Sequence, residues 1–336
     1  MIGEFCYEKK YFPFSLSHIS AGHADRLRRG LRTNGGAAAG KKLSVVTTIF
    51  PEYDWVRRIL GDKADGVELT LLLDNGADLH SYQPTADDMV KISSCDLFIY
   101  VGGESDEGVE DALESAVNKN MLVIDLLDVL GDAVKEEELV EGMQGEEEEE
   151  SGEGEEEVEY DEHVWLSLKN AAVLCDAIAG ALAKLDAANA DVYAANKDAY
   201  VAKLNALDAQ YAAAVSAAKV RTLLFGDRFP FRYLADDYGL DYYAAFVGCS
   251  AETEASFETI VFLSGKVDEL GLNTVLTIES GDGKIARTIV ENTAAKSAQV
   301  LKMDSMQSTT AQNIADGATY LGAMEYNLAV LKQALQ

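Results

Sequence analysis

Cysteine pairs, long apolar runs and positive charge are absent or scarce in this chain of 336 residues. The cysteines form no CxxC pair, which argues against a zinc knuckle or a thioredoxin-type motif. No run approaches the roughly 18–20 consecutive apolar residues that a membrane-spanning helix needs. Lys and Arg number 28 against 58 Asp and Glu, so the formal net charge is −30. Such a chain should avoid nucleic acid and anionic membrane surfaces, and its natural partners are cations.

Motifs of catalysis are also missing. The sequence has no nucleophile elbow, no phosphate-binding glycine loop and no HExxH helix. We therefore expect a binding protein and not an enzyme. Two of the four scattered cysteines, Cys95 and Cys175, are interpreted as small core residues.

Composition divides the chain into segments. Residues 1–41 are basic, lack a clean period and end in a Gly/Ala linker, so we expect a disordered or non-native extension there. We expect an N-terminal lobe over residues 42–165, a helix over 166–187 and a C-terminal lobe over 188–336. The acidic run 136–162 cannot bury enough apolar surface to order itself, which predicts a solvated loop.

Strand-like and helical segments alternate on both sides of the acidic run. Apolar runs predict strands at 43–50, 67–73, 96–101 and 121–126 before it, and at 221–226, 241–247, 273–279 and 298–304 after it. This alternation favours an α/β fold of two similar lobes, each with a mostly parallel four-stranded sheet flanked by helices. A stripe of Tyr and Leu between Tyr193 and Val215 predicts helix packing and not a cofactor pocket.

Histidine is nearly absent, and two of the four histidines are informative. His80 lies in GADLHSYQPTADD and His163 in YDEHVWLSLKNA, whereas His18 and His23 fall within residues 1–41. A neutral imidazole is the commonest protein ligand for a transition metal. The spacing alone is explained equally well by core or surface histidines that never meet.

Polar residues follow the predicted strands at their carboxyl ends, where open α/β sheets bind ligands. His80 follows the second strand, Asp227 and Arg228 follow the fifth, Glu279 ends the seventh and Asp304 ends the last. If the two lobes face each other across a cleft, these side chains can converge there with His163. Two imidazoles with carboxylate oxygens suit Zn²⁺, Mn²⁺ or Fe²⁺.

Several segments resemble, in order and spacing, the zinc- and manganese-type solute-binding proteins of metal ABC transporters. They are TTIFPEYDWVRRIL, GADLHSYQPTADDMVKISSCDLFIYVGG, DEHVWLSLKNA, FRYLADDYGL and MDSMQSTTAQNIADGATYLGAMEYNLAVLKQAL. The likeness covers about residues 42–336, and its most specific parts surround His80 and His163. It implies two lobes joined by a long rigid helix, one divalent ion in the cleft, and delivery of that ion to a membrane permease.

The resemblance also implies a ligand set. His80 and His163 correspond to the first two ligands, and Asp304 in KMDSM to the carboxylate that closes the site. We expect Zn²⁺ as the metal, with Mn²⁺ as the alternative, because nitrogen and oxygen ligands bind zinc more tightly than manganese. We expect a monomer.

The chain departs from the family at the third ligand. The family usually places His or Glu before a Phe-x-Tyr segment, and GDRFPFRYL has Arg228 there. A guanidinium has no lone pair for a metal, so Asp227, Glu279 or a water is expected to fill the position, with Asp227 favoured slightly. Glu279 is alternatively expected to pair with Arg228.

Two other functions stay open at this stage. A metal-dependent hydrolase would hold its ion with His80, His163 and Asp304, leave one position open, and use Arg228 to polarise a substrate. An adhesion or interaction protein would instead bind its partner with the acidic run. In a carrier, that run would serve as a mobile, weak collector of cations.

Location is predicted from the resemblance. A carrier of this kind works outside the cytoplasmic membrane, in the periplasm or as a membrane-anchored lipoprotein. No basic-plus-apolar leader opens the chain, and Cys6 lacks the preceding apolar stretch that a lipoprotein leader requires. Our hypothesis is that residues 1–41 replace or misrepresent the native leader.

Overall fold

A computed structural model describes residues 42–145, 159–250 and 254–336. The strands are Leu43–Thr47 (β1), Val67–Leu71 (β2), Leu97–Tyr100 (β3), Leu122–Asp125 (β4), Thr222–Arg228 (β5), Asp241–Phe246 (β6), Thr274–Ile278 (β7) and Gln299–Met303 (β8). The α-helices are Phe50–Leu60 (α1), Ala86–Ser94 (α2), Glu107–Glu114 (α3), Leu126–Leu130 (α4), Leu168–Leu185 (α5), Ala190–Ser216 (α6), Arg232–Tyr238 (α7), Phe257–Leu270 (α8), Lys284–Asn292 (α9), Ala311–Ala315 (α10) and Tyr320–Ala334 (α11). Short 3-10 helices lie at Gly61–Gly66, Leu79–Ser81, Glu104–Asp106, Gly131–Ala133, Val164–Leu166 and Ala187–Asn189.

The described strands form two parallel sheets with the same order of connections. The orders are β2-β1-β3-β4 and β6-β5-β7-β8, and neighbouring strands run in parallel. In each sheet the chain goes from its first strand to one edge and then returns to that strand's other side. Such a reversal opens a crevice at the carboxyl ends of the strands. The predicted α/β fold with a four-stranded sheet in each lobe is confirmed.

Two helices connect the sheets. Helix α5 begins at the cap residue Ser167, whose hydroxyl accepts a hydrogen bond from the Asn170 backbone N–H at 3.1 Å. Helix α6 follows with 27 residues and buries the predicted stripe, whose members are Tyr193, Tyr200, Leu204, Leu207, Tyr211 and Val215. The prediction that this stripe packs is therefore confirmed, and the helical connection continues well beyond residue 187.

Two predictions fall partly or wholly outside the described residues. They concern the extension 1–41 and the central part of the acidic run, residues 146–158. In the part of the chain that the structure covers, no helix is both long enough and apolar enough to cross a bilayer. Cys95 and Cys175 are fully buried, which confirms their interpretation as core residues.

Candidate metal centre

His80 is held by the short 3-10 helix Leu79–Ser81, in the loop after β2. The Asp78 carboxylate caps this helix, because its Oδ1 accepts a hydrogen bond from the His80 backbone N–H at 3.1 Å. The Nδ1 atom of the His80 ring lies 2.7 Å from the Ser105 hydroxyl and 3.5 Å from Glu162 Oε2. The opposite ring nitrogen, Nε2, is therefore directed away from these partners.

His163 lies fully buried at the start of the 3-10 helix Val164–Leu166. Its ring Nδ1–H donates a hydrogen bond to Asp161 Oδ1 at 3.0 Å, and the same oxygen accepts the His163 backbone N–H at 2.9 Å. Because a carboxylate can only accept, this contact places the proton on Nδ1. The lone pair of His163 Nε2 is then available, as in the carboxylate–histidine pairs that orient metal ligands.

The two imidazoles meet through their Nε2 atoms, which lie 3.1 Å apart. Two nitrogens bound to one tetrahedral zinc ion at 2.0–2.1 Å would lie about 3.3 Å apart, so the rings are already close to ligand spacing. Burial and the neighbouring His163 ring lower the pKa of His80 to about 3. His80 is therefore neutral at physiological pH and can offer a lone pair.

Cys249 joins the two histidines, and its role escaped the sequence reasoning. Among the described residues, His80, His163 and Cys249 form a group whose potential ligand atoms all lie within 4.8 Å of one another. Cys249 lies in the loop after β6, at the carboxyl end of a predicted strand. Open α/β sheets bind ligands at the carboxyl ends of their strands, so the position of Cys249 after a predicted strand is a signal that the sequence already contains.

Carboxylates from the ends of the acidic run surround Cys249. The Glu137 carboxylate accepts a hydrogen bond from the Cys249 backbone N–H at 3.1 Å, and Asp161 and Glu162 are each only 2% exposed. Burial, together with these three carboxylates, raises the pKa of the Cys249 thiol well above its ordinary value. Asp161 and Glu162, at the C-terminal end of the predicted solvated loop, are thus buried against the site, whereas Glu136, Glu138 and Glu141 near its other end are exposed.

Arg228 joins two loops of the site. Its guanidinium donates to Asp78 Oδ2 at 2.5 Å and to the Ser250 backbone carbonyl at 3.2 Å. Burial alone would raise the pKa of Asp78, but the guanidinium beside it lowers that pKa below its usual value. The alternative prediction that Glu279 pairs with Arg228 is wrong, because the Arg228 guanidinium pairs with Asp78 instead.

The predicted carboxylate candidates lie outside the group of His80, His163 and Cys249. Asp227 accepts hydrogen bonds from the Thr277 hydroxyl and from the backbone N–H groups of Arg228 and Ile278. Glu279 accepts from the Ser305 backbone N–H at 2.7 Å and from nearby hydroxyls. Both carboxylates already have protein partners, which leaves them less available to a metal.

Asp304 follows β8, as the sequence predicts, and lines a cavity together with Glu279 and Phe50. Burial and the nearby Glu279 carboxylate raise the pKa of Asp304 to about 6. Besides His80, the Gln307 amide nitrogen contacts His163 Nε2, at 3.0 Å. The sequence analysis did not single out Gln307, because nothing in the residues around it indicates that it lies near the two histidines.

Comparison with known proteins identifies the family. The family described as zinc-uptake complex component A, periplasmic, matches residues 45–334. The chain belongs to this family. The predicted resemblance to metal ABC transporter solute-binding proteins is confirmed.

Relatives within the family carry zinc-related names. The chain is 31% identical over 299 residues to the zinc-binding lipoprotein AdcA of Streptococcus pneumoniae, covering 88% of this chain and 56% of that protein. It is 30% identical over 305 residues to the high-affinity zinc uptake system protein ZnuA of Bacillus subtilis, covering 90% and 91%. The chain thus spans little more than half the length of the AdcA proteins that it matches.

A solved structure within the family shares the fold. The Zn(II)-bound ZnuA-like domain of Streptococcus pneumoniae AdcA is 27% identical, with a TM-score of 0.68. The similarity covers 88% of this chain and 99% of that domain.

The site depends on a glycine next to Cys249. A Cβ at Gly248 would lie 3.0 Å from the Phe229 carbonyl oxygen and 3.0 Å from His163 Cε1. We expect Gly248→Ala to move the Cys249 loop away from the imidazoles and to lower zinc affinity roughly 10-fold, the low end of the effect of an outer-shell change. Isothermal titration with zinc measures this change.

A matched control is Gly265→Ala, because a Cβ on that helical glycine has no neighbour within 4 Å. This control is expected to keep the affinity of the unaltered protein. Equal zinc affinity in both variants would show that close packing of the loop on His163 is unimportant.

Proposed function

We propose that this chain binds one divalent transition metal ion, zinc, with His80 and His163 and delivers it to an ABC permease for uptake. The observation that carries this proposal is the 3.1 Å separation of the two Nε2 atoms. Each ring has its other nitrogen beside an oxygen partner, so both Nε2 lone pairs can be directed at one cation. Asp304 is proposed to supply a carboxylate when the ion is bound.

Zinc is the metal that the chemistry favours. Affinity of nitrogen-containing sites rises from manganese to zinc along the divalent series, and neutral imidazole suits zinc well. The names of the relatives in Streptococcus pneumoniae and Bacillus subtilis also refer to zinc. Manganese remains the alternative and is expected to bind more weakly.

Carrier function is supported over hydrolysis by the surroundings of Arg228. A hydrolase would need this guanidinium free to polarise a substrate. In the structure it is paired with Asp78 and the Ser250 carbonyl, so its charge is already compensated. The family to which the chain belongs is named for uptake. We therefore propose a binding component without enzymatic activity.

We propose that the protein is located outside the cytoplasmic membrane. The family description includes the word periplasmic, and the relative in Streptococcus pneumoniae is named a lipoprotein. The proposed partners are the metal ion and the membrane permease, and we propose that the carrier acts as a monomer. The acidic run is proposed to collect cations near the site, because most of its residues are Asp or Glu.

The proposal predicts stoichiometric zinc binding. The metal-free protein should bind one zinc ion, and zinc at about 1,000-fold above its dissociation constant should stabilise the fold by about 4 kcal/mol. Metal analysis after gel filtration measures the stoichiometry, and thermal unfolding with and without zinc measures the stabilisation. A protein that retains no zinc and shows no shift in Tm would rule the proposed function out.

A further inference from the structure

We infer that Cys249 is the third protein ligand of the ion, bound as a thiolate beside His80 and His163. This inference rests on the proposed function and specifies its ligand set. The Cys249 Sγ belongs to the group of potential ligand atoms that lie within 4.8 Å of one another. A tetrahedral zinc ion with Zn–N near 2.05 Å and Zn–S near 2.3 Å separates nitrogen and sulfur by about 3.6 Å. Since the atoms lie within 4.8 Å of one another, a contraction of at most about 1.2 Å completes a three-ligand cradle.

The Cys249 loop is held toward the histidines from three sides. Gly248 lies against the His163 ring and admits no larger side chain without displacement. The Glu137 carboxylate accepts the Cys249 backbone N–H, and Arg228 donates to the Ser250 carbonyl. The sulfur is thus positioned by its own backbone contacts, and this positioning exists before any ion binds.

Arg228 occupies the position of the family's usual third ligand, and Cys249 offers a ligand atom from a different loop. A guanidinium cannot coordinate, yet it joins Asp78, two residues before His80, to Ser250, the residue after Cys249. One permanently charged side chain therefore connects the loop of a histidine ligand to the loop of the cysteine. Arg228 is a positioning residue, and Cys249 supplies the donor atom that Arg228 lacks.

Charge favours a thiolate in this site. The two imidazoles are neutral ligands, so an anionic third ligand in direct contact with the ion helps to compensate its charge. When Cys249 binds, its S–H proton leaves and a sulfur–metal bond forms, which removes one unit of that charge. Solvent can accept the proton, because His80, Glu137 and Cys249 line one open cavity.

A thiolate changes which metals the carrier accepts. Soft sulfur ligands favour zinc and cadmium, whereas manganese prefers carboxylate, carbonyl and water oxygens. The site with Cys249 should therefore discriminate against manganese more strongly than a site of imidazoles and carboxylates. Replacing the sulfur by oxygen should reduce this discrimination.

Cobalt(II) titration tests the sulfur directly. Thiolate ligation of Co²⁺ produces an intense charge-transfer band in the near ultraviolet, which nitrogen and oxygen ligands do not produce. The unaltered protein should show this band at one equivalent of cobalt, and Cys249→Ser should lose it. Cys175→Ala is the matched control and should keep the band, because Cys175 is buried in the core. Zinc affinity should fall more than about 100-fold in Cys249→Ser, beyond the usual effect of an outer-shell change.

Failure of this inference differs from failure of the proposed function. If the unaltered protein binds one cobalt ion without the band, or if Cys249→Ser keeps the band, Cys249 is not a ligand and the histidine carrier stands. If the unaltered protein binds neither cobalt nor zinc, both ideas are overturned. The spectrum of the unaltered protein decides the matter even if the variant does not fold.

Discussion

Replacing either His80 or His163 by alanine is expected to abolish tight zinc binding. Each variant removes one of two nitrogens that lie 3.1 Å apart, so the ion loses a ligand that was already in place. Affinity should fall more than about 100-fold, because the loss of a ligand exceeds the 10–100-fold effect of an outer-shell change. Competition titration against a chelator of known zinc affinity measures the loss.

The control for the histidine variants is His23→Ala, a histidine outside the predicted lobes. It should bind zinc as the unaltered protein does. Circular dichroism should show the same folded spectrum for all three variants. A loss of zinc affinity in a variant with this spectrum is then due to the altered site and not to unfolding. Retention of one tightly bound zinc ion in both His80→Ala and His163→Ala would sink the carrier proposal.

Breaking the pair of Arg228 and Asp78 is expected to weaken zinc binding without changing the ligands. Both side chains are mostly buried, at 14% and 17% exposure, and the pair connects the His80 loop to the Cys249 loop. Arg228→Ala should lower zinc affinity about 10–100-fold, as loss of an outer-shell partner does. Asp78→Asn is the more specific variant of the other partner. It removes the negative charge that pairs with Arg228, and its remaining oxygen can still accept the His80 backbone N–H.

A double-mutant cycle separates this pair from general destabilisation. If the two residues act together, the double variant should bind zinc about as weakly as either single variant, because residues in one network are not additive. Lys91→Ala serves as the control, since it breaks an exposed ion pair with Asp87 on α2. Additive losses in the double variant, or an equal loss in the control, would remove the positioning role from Arg228.

The fold could be predicted because its signals are local. The alternation of β-branched runs and amphipathic stretches places eight strands, and the structure has a strand that overlaps each predicted segment. The stripe from Tyr193 to Val215 needs only the helical period to show which face is buried. The structure of the acidic run could not be predicted in the same way. Its high negative charge indicates a solvated loop, whereas Asp161 and Glu162 at its end are buried against His163 and His80.

The sequence by itself determined the α/β class, the two informative histidines and the exclusion of Arg228 as a ligand, since these follow from residue chemistry and period. Only the tertiary structure decided that His80 and His163 share one point in space and that Cys249 lies beside them. It also decided that Arg228 pairs with Asp78 and not with Glu279. The physical reason is that contacts between loops depend on how two sheets are placed, and no short stretch of sequence encodes that placement.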